Sequence, residues 1–127
     1  MGRSEKMDNE ATPNPEAFTY YSRLARVKEY VEGTLDGDLS LTAVARVAGM
    51  ERGCFSRFFR QKTGVRFSGW VASLRIRRAM DLMRSANRSI TRVAYSVGFR
   101  DVRTFERAFK RDTTMTPSAF RKSVRPC

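Results

Sequence analysis

Apolar residues recur along this chain at the spacing that marks one buried face of an α-helix. Between Glu16 and Glu32 this stripe consists of Ala17, Tyr20, Leu24, Val27 and Val31. We therefore predict one amphipathic helix here, which ends at the glycines and aspartates of residues 33–38. The preceding residues, 1–15, are mostly polar and include two prolines, so they are predicted to be a disordered lead-in.

The rest of the chain contains one pattern twice. Leu41, Val44, Ala45 and Gly49 match Ile90, Val93, Ala94 and Gly98 at an offset of 49, and Phe55, Arg57 and Phe59 match Phe105, Arg107 and Phe109 at an offset of 50. One residue is therefore inserted between the two helices of the second copy. In each copy a short helix, which Ser40 or Ser89 can cap, precedes a glycine and a longer helix. This is the order of a helix-turn-helix motif, in which Gly49 or Gly98 supplies the positive φ of a sharp turn.

A single helix is predicted between the two copies, over residues 67–85. Its first half groups Phe67, Trp70, Val71 and Leu74 on one face, and its second half groups Ile76, Ala79, Met80 and Met83 on the opposite face. Two opposed apolar faces indicate two separate cores. We predict an all-α fold in which two homeodomain-like helix-turn-helix subdomains, 16–66 and 86–127, are joined by this linker helix.

The charge of the chain points to a polyanionic partner. The formal net charge is +12, and 20 of the 25 basic residues are arginine. Residues 40–127, which hold both motifs, contain 20 basic and 5 acidic residues. The planar guanidinium of arginine suits phosphate and guanine edges, so a nucleic acid such as double-stranded DNA is the expected partner. The linker helix is predicted to be about 28 Å long. This length is close to the distance of about 34 Å after which the major groove of B-DNA repeats.

Other classes of function are disfavoured by what the composition lacks. The chain has no His, the commonest general base and metal ligand, and only Cys54 and Cys127 carry thiols. We therefore expect no enzyme activity, no metal and no cofactor. No apolar run is long enough for a membrane span, and no signal peptide is recognisable, so we expect a cytoplasmic protein associated with the nucleoid and not with a membrane.

The chain from about Tyr21 to Val124 resembles the DNA-binding domain of the AraC/XylS family of bacterial transcription regulators. The second motif, "ITRVAYSVGFRDVRTFERAFKRDTTMTPSAFR", has the family's layout of A-x-x-x-G-F, then F-x-R-x-F-K, then P-x-x-[FY]-R. The segment "SLRIRRAMDLM" matches the family's linker, with Arg75 at its usual position. The resemblance implies a transcription regulator, such as an activator, that binds a degenerate promoter site as a monomer and contacts RNA polymerase. An excised domain of a longer, effector-responsive regulator is the other interpretation.

By this resemblance, the second helix of each motif enters the major groove of DNA. The positions that match the family's base-contacting sites are Gly53, Ser56, Arg57, Val102, Arg103, Thr104, Glu106 and Arg107. Arg57 and Arg107 are the strongest candidates for base contact, with a phosphate contact as the alternative for either. The residues expected to meet the phosphate backbone are Arg60, Arg100, Lys110, Arg111 and Arg121.

Several residues depart from the family pattern. Gly53 has no side chain to reach a base, so the first motif is expected to contact few bases or to approach DNA closely. Glu106 is predicted either to accept from a cytosine amino group or to orient Arg103 or Arg107. Thr113 and Thr114 replace an aromatic and a glycine, and Thr114 at positive φ is costly, so that turn is predicted to be rebuilt or frayed. Cys54 matches no base-contacting position and is predicted to be a small, partly buried side chain, with a thiol sensor as the alternative.

A second class of function remains open on the sequence alone. The positive charge of residues 40–127 also suits a non-specific protein that coats the nucleoid or RNA. A sequence-specific regulator is distinguished from such a protein by its preference for one site over bulk DNA, on the order of 10³-fold or more.

Overall fold

The computed structural model describes residues 12–85 and 87–124, and within these ranges the only regular elements are helices. The helices are α1 (Pro15–Tyr20), α2 (Ser22–Gly33), α3 (Leu41–Ala48), α4 (Arg52–Thr63), α5 (Phe67–Ser85), α6 (Ile90–Ser96), α7 (Val102–Thr113) and α8 (Pro117–Val124). The predicted all-α class with two helix-turn-helix motifs is confirmed, as α3–α4 and α6–α7. Most of the predicted lead-in, residues 1–11, lies outside the described residues, as does Cys127.

The single helix predicted from Glu16 to Glu32 is wrong, because the chain forms two helices there. Tyr21 has an extended backbone, with φ −99° and ψ 113°, which ends α1 and precedes α2. Tyr20 is 80% exposed, whereas Phe18 is buried in its place. The Phe18 ring stacks on Trp70 with 5.1 Å between centroids, and the Tyr21 ring packs against Phe58 at 5.5 Å. These contacts with residues distant in sequence outweigh the helical spacing within the segment.

The chain divides between Val71 and Ala72 into two compact units, each with its own buried residues. In the first unit α2 packs on α3, and α3 packs on α4. The buried side chains of these helices are Leu24, Val27, Val31, Val44, Ala45, Ala48, Phe55 and Phe59. Phe59 contacts the rings of Phe18, Phe67 and Trp70 at centroid distances of 5.3 to 6.0 Å. An aromatic cluster therefore closes the first unit.

The second unit contains the same helix-turn-helix motif, but different side chains form its core. One apolar cluster joins α5, α6, α7 and α8, and its larger members are Ile76, Met83, Val93, Val97, Phe99, Phe105, Phe109 and Phe120. Phe109 lies 5.5 Å from Phe120 and 5.6 Å from Phe105, between ring centroids. Apart from these rings, this core is mostly aliphatic.

Helix α5 contributes to both cores, as its two apolar faces predicted. It has 19 residues, Phe67 to Ser85, and the division between the units falls inside it. Phe67, Trp70 and Val71 are buried in its first half. In its second half Ile76, Ala79 and Met83 are buried in the cluster of the second unit, and Met80 is partly buried against it. Leu74 is only half-buried.

Both turn glycines have the left-handed backbone that a sharp reversal requires. The φ angle is 71° at Gly49 and 108° at Gly98. Met50 alone separates Gly49 from the N-cap of α4, whereas Phe99 and Arg100 separate Gly98 from the N-cap of α7. The extra residue of the second motif therefore lies in its turn. Ser40 and Ser89 cap α3 and α6 as predicted, each by accepting a backbone N–H three residues on.

The turn after α7 is intact, so the prediction that it is rebuilt or frayed is wrong. Thr113 Oγ1 donates to Phe109 O at 2.8 Å and accepts from Met115 N at 3.1 Å. Thr63 makes the matching bonds after α4, at 2.7 Å to Phe59 O and 3.3 Å from Val65 N. Thr114 takes φ 64° where Gly64 has 87°, and the N–H of Thr114 bonds to Lys110 O. These hydrogen bonds hold Thr114 in a conformation that a β-branched residue seldom adopts.

Candidate nucleic-acid interface

Helix α7, the recognition helix of the second unit, has one buried side and one charged side. Phe105, Ala108 and Phe109 are buried. The exposed residues are Arg103, Thr104, Glu106, Arg107, Lys110 and Arg111. Val102, at the first turn, is half-buried. Packing on one side therefore turns four of the five predicted base-contacting side chains to solvent together.

The first turn of α7 is held by Asp101. Asp101 Oδ1 accepts the backbone N–H of Thr104 at 2.7 Å, and Oδ2 accepts the Thr104 hydroxyl at 3.0 Å. These two bonds, and then the charges of Arg107 and Arg103, lower the pKa of Asp101 below its ordinary value of 3.8. Asp101 is therefore ionised at neutral pH. Its negative charge also lies at the N-terminus of α7, where the positive end of the helix dipole stabilises it.

Helix α4, the recognition helix of the first unit, begins in a related way. Glu51 Oε1 accepts the backbone N–H of Cys54 at 3.1 Å. Hydrogen bonds from the backbone N–H groups of Gly53 and Cys54, with smaller effects of the Cys54 side chain and of Arg57, lower the pKa of Glu51 from its ordinary value of 4.5. Arg57 and Arg60 are exposed, whereas Gly53 and Ser56 are half-buried. Among the predicted contact residues, α4 therefore presents fewer exposed side chains than α7 does.

The Arg57 side chain lies back over the first turn of α4. Its Nη2 is 3.8 Å from Cys54 Sγ, and a Cβ added at position 53 would lie 3.6 Å from its Nη1. The same Cβ would be 3.2 Å from Glu51 Oε1, so the absence of a side chain at Gly53 leaves room for both groups. Cys54 is exposed, and the prediction that it is partly buried is wrong. The helix turns this position away from the core because Phe55 and Phe59 fill the buried side.

The predicted phosphate-contacting residues fall into two groups. Arg60, Arg100 and Lys110 are exposed, and Arg111 is exposed with its Nε 3.5 Å from Asp112 Oδ1. Arg121 is half-buried, and its Nη2 is enclosed without a hydrogen-bond partner in the described residues. Only part of the Arg121 guanidinium is therefore presented to a phosphate.

The ion pair suggested for Glu106 is not observed. Ion pairs between described residues include those of Lys28 with Glu32, Asp81 with Arg84, and Arg111 with Asp112. Glu106 is exposed and takes part in none of them. The Glu106 carboxylate is therefore open to solvent, and both of its predicted roles stay predictions.

The base- and phosphate-contacting candidates from the sequence leave out three residues that the structure places at the recognition helices. Asp101 caps α7 and bonds Thr104. Arg52 and Cys54 are exposed on α4, in register with Val102 and Thr104. The offset of 50 residues between the motifs would have identified Cys54, because Thr104 was already a candidate.

Comparison with known proteins agrees with this arrangement. A family model described as a helix-turn-helix domain matches residues 44–123. The transposon Tn10 TetD protein of Escherichia coli is 31% identical over 94 residues, which are 74% of this chain and 68% of that protein. The HTH-type transcriptional regulator GlxA of Rhizobium meliloti is 34% identical over 104 residues, which are 82% of this chain and 32% of the regulator.

The same fold occurs in a protein solved with DNA. The DNA-binding domain of AdpA, a global transcriptional factor whose structure contains a target DNA, is 29% identical with a TM-score of 0.74, covering 80% of this chain and 91% of that one. The chain belongs to the AraC-type helix-turn-helix family of transcription regulators. It spans about a third of the length of the first curated relatives that it matches, 32 to 36%.

No helix within residues 12–85 and 87–124 is long and apolar enough to cross a membrane. In the same ranges, His, Cys, Asp and Glu form no group of three or more that suits a metal ion.

Proposed function

We propose that this AraC-type chain binds a specific promoter site through α4 and α7, which enter successive segments of the major groove, and so regulates transcription in the bacterial cytoplasm. The observation that carries the proposal is the pair of recognition helices, each buried on its apolar side and carrying arginines on its exposed side. A major groove admits an α-helix, and arginine bonds guanine O6 and N7 there.

Arg57, Arg103 and Arg107 are the proposed base-contacting donors, with Thr104 and Glu106 as acceptors beside them. Arg60, Arg100, Lys110 and Arg111 are proposed to bond phosphates on either side of the groove. Ser56 and Val102, both half-buried, contribute surface next to these groups. Gly53 is proposed to let Arg57 and Glu51 share the first turn of α4, and Arg121 to bond a phosphate with the exposed part of its side chain.

Binding as a monomer is proposed because one chain carries two recognition helices. The family resemblance supports activation through contact with RNA polymerase. The match covers only 32% of GlxA. Regulation of transcription is therefore equally compatible with this chain being the DNA-binding domain of a larger regulator that responds to an effector.

The proposal is tested by selecting bound sequences from random DNA duplexes. Two short blocks about one helical turn, or 10 base pairs, apart are the expected result. One block would restrict specific contact to a single helix. If no sequence is enriched, the chain is a basic protein that binds DNA by charge alone.

A competition experiment separates that non-specific alternative quantitatively. The selected duplex should resist competition by bulk DNA with a preference of about 10³-fold or more. Affinity should also fall with salt, with a log–log slope of about −0.9 per phosphate contacted. Equal competition by bulk and selected DNA would contradict the proposed function.

A further inference from the structure

The hydroxyl of Thr104 has a defined hydrogen-bond polarity. A threonine hydroxyl has one proton to donate and lone pairs with which to accept. The ionised carboxylate of Asp101 has no proton, so in the 3.0 Å bond between them Thr104 is the donor. The Thr104 hydroxyl can therefore only accept a hydrogen bond from any other partner.

This polarity matters because Thr104 lies on the exposed side of α7. It is one helical turn from Arg107 and adjacent to Arg103, and all three are exposed. The two arginines donate only, whereas Thr104 accepts only, so neighbouring positions on one helix present opposite hydrogen-bond polarities. In the major groove cytosine and adenine offer an amino donor, whereas guanine and thymine offer acceptors.

We propose that Asp101 is a specificity-positioning residue: by engaging the Thr104 hydroxyl proton, it makes Thr104 select cytosine or adenine and reject guanine or thymine at one base of the site. This inference rests on the proposed entry of α7 into the major groove. If the Thr104 oxygen faces guanine O6 or thymine O4, two acceptor oxygens meet with no proton between them. Neither oxygen then has a hydrogen bond, which is unfavourable when both have lost their water.

The first recognition helix carries a thiol, a weak donor and acceptor, at the position where the second carries this hydroxyl. Cys54 occupies the register of Thr104, and its sulfur lies against Arg57 Nη2 at 3.8 Å. Glu51 bonds the backbone N–H of Cys54. The proposed selection therefore belongs to the half of the DNA site that α7 contacts.

Asp101→Asn tests the proposal by reversing one hydrogen bond. Asn also caps helices well, and its carbonyl oxygen can keep the bond from the Thr104 N–H. Its NH₂ group then donates to the Thr104 hydroxyl oxygen, which releases the hydroxyl proton. We expect the selected base at one position to change from cytosine or adenine to guanine or thymine, by about three- to tenfold, the range that one neutral hydrogen bond supplies.

Three companion variants identify the cause of such a change. Thr104→Ser keeps the hydroxyl and should keep the preference for an amino-bearing base. Thr104→Val removes the hydroxyl and should abolish that preference. Adding Asp101→Asn to Thr104→Val should change the selected base no further. Thermal melting of each variant confirms that α7 remains folded.

Three outcomes would overturn the inference. Asp101→Asn could select the same base as the unmodified protein, or Thr104→Ser could lose the preference, which would indicate a methyl contact instead. A shift that persists in the double variant would place its cause outside Thr104. If the unmodified protein selects two blocks and any of these results is found, only this inference fails. If it selects no sequence, the proposed function fails together with it.

Discussion

The two recognition helices share their buried residues but differ in their exposed ones. Phe55 and Phe59 of α4 correspond to Phe105 and Phe109 of α7, and all four are fully buried. On the exposed side, by contrast, Gly53, Cys54 and Ser56 stand against Arg103, Thr104 and Glu106. The difference shows that packing constrains one side of such a helix, whereas the other side is available for contacts with a partner.

The two units also differ in charge. The sequence up to Val71 contains 11 basic and 9 acidic residues, whereas the sequence from Ala72 contains 14 basic and 4 acidic residues. The acidic residues of the first unit include Glu29, Glu32, Asp36 and Asp38, all exposed at the end of α2 and after it. Attraction to DNA at long range is therefore expected to come mainly from the second unit.

The largest expected effects come from removing one buried ring in each unit. Phe59→Ala and Phe109→Ala should each lower the free energy of unfolding by about 3–5 kcal/mol, because both side chains are fully buried. Hydrogen exchange should show faster exchange in the helices of the altered unit alone. Tyr95→Ala, at a side chain 51% exposed, is the control and should change stability by less than about 0.5 kcal/mol. Loosening of the same helices by both substitutions would contradict two separate cores.

Next in size is the loss of one arginine from each recognition helix. Arg107→Ala should weaken binding to the selected duplex by about 1–3 kcal/mol, the worth of a bidentate contact with guanine. Arg57→Ala should cost less, because Arg57 already contacts Cys54 in the free protein. Both substitutions should affect random duplex only slightly. Filter binding or fluorescence anisotropy measures the four affinities.

Arg77→Ala is the matched control for the two arginines. Arg77 is exposed on α5 and lies on neither recognition helix. Its loss should weaken binding to selected and random duplexes by similar, small factors. If Arg107→Ala behaves in the same way, Arg107 contacts a phosphate and not a base.

The turns after α4 and α7 allow a smaller, reciprocal test. Thr114 at φ 64° corresponds to Gly64 at φ 87°. Left-handed backbone costs an L-residue about 1–2 kcal/mol. Thr114→Gly should therefore stabilise the second unit by about 1 kcal/mol after the added flexibility of the unfolded chain is deducted. Gly64→Thr should destabilise the first unit. Urea unfolding measures the free energy of unfolding of both variants. A lower value in Thr114→Gly would show that Thr114 stabilises the second unit by more than its left-handed backbone destabilises it.

The smallest effect concerns pH and the acidic caps of the recognition helices. The pKa values of Glu51 and Asp101 are lowered on folding from ordinary values of 4.5 and 3.8. The stability that the two ionised carboxylates contribute is therefore complete above these ordinary pKa values. It is lost as the pH falls through the lower pKa values of the folded state. Melting temperatures between neutral pH and about pH 3 should fall less for Asp101→Asn than for the unmodified protein. An unchanged pH profile would mean that the Asp101 bonds do not form in solution.

The features predicted correctly are those that depend on residues close in sequence. Ser40 and Ser89 cap their helices because a serine before a helix reaches a nearby N–H group, whatever the rest of the fold does. The glycine turns and the buried phenylalanines follow from backbone conformation and helical spacing in the same way.

The features predicted wrongly depend on interactions that outweigh a local preference of the chain. Tyr21 interrupts the first helical segment because Phe18 and Tyr21 pack on Trp70 and Phe58, far along the chain. Thr114 keeps a turn that its own preference disfavours, because the hydrogen bonds of Thr113 and the N–H of Thr114 hold it. Helical spacing and the backbone preference of a single residue show neither balance.

The amino-acid order by itself determined the helical class, the doubled motif and the charge that favours DNA, since each arises from periodicity, repetition or composition. Only the tertiary structure decided which polar groups are available to a partner. It turned Cys54 outward and enclosed part of Arg121. Availability depends on packing and on hydrogen bonds formed in three dimensions, and these exist only once the chain has folded.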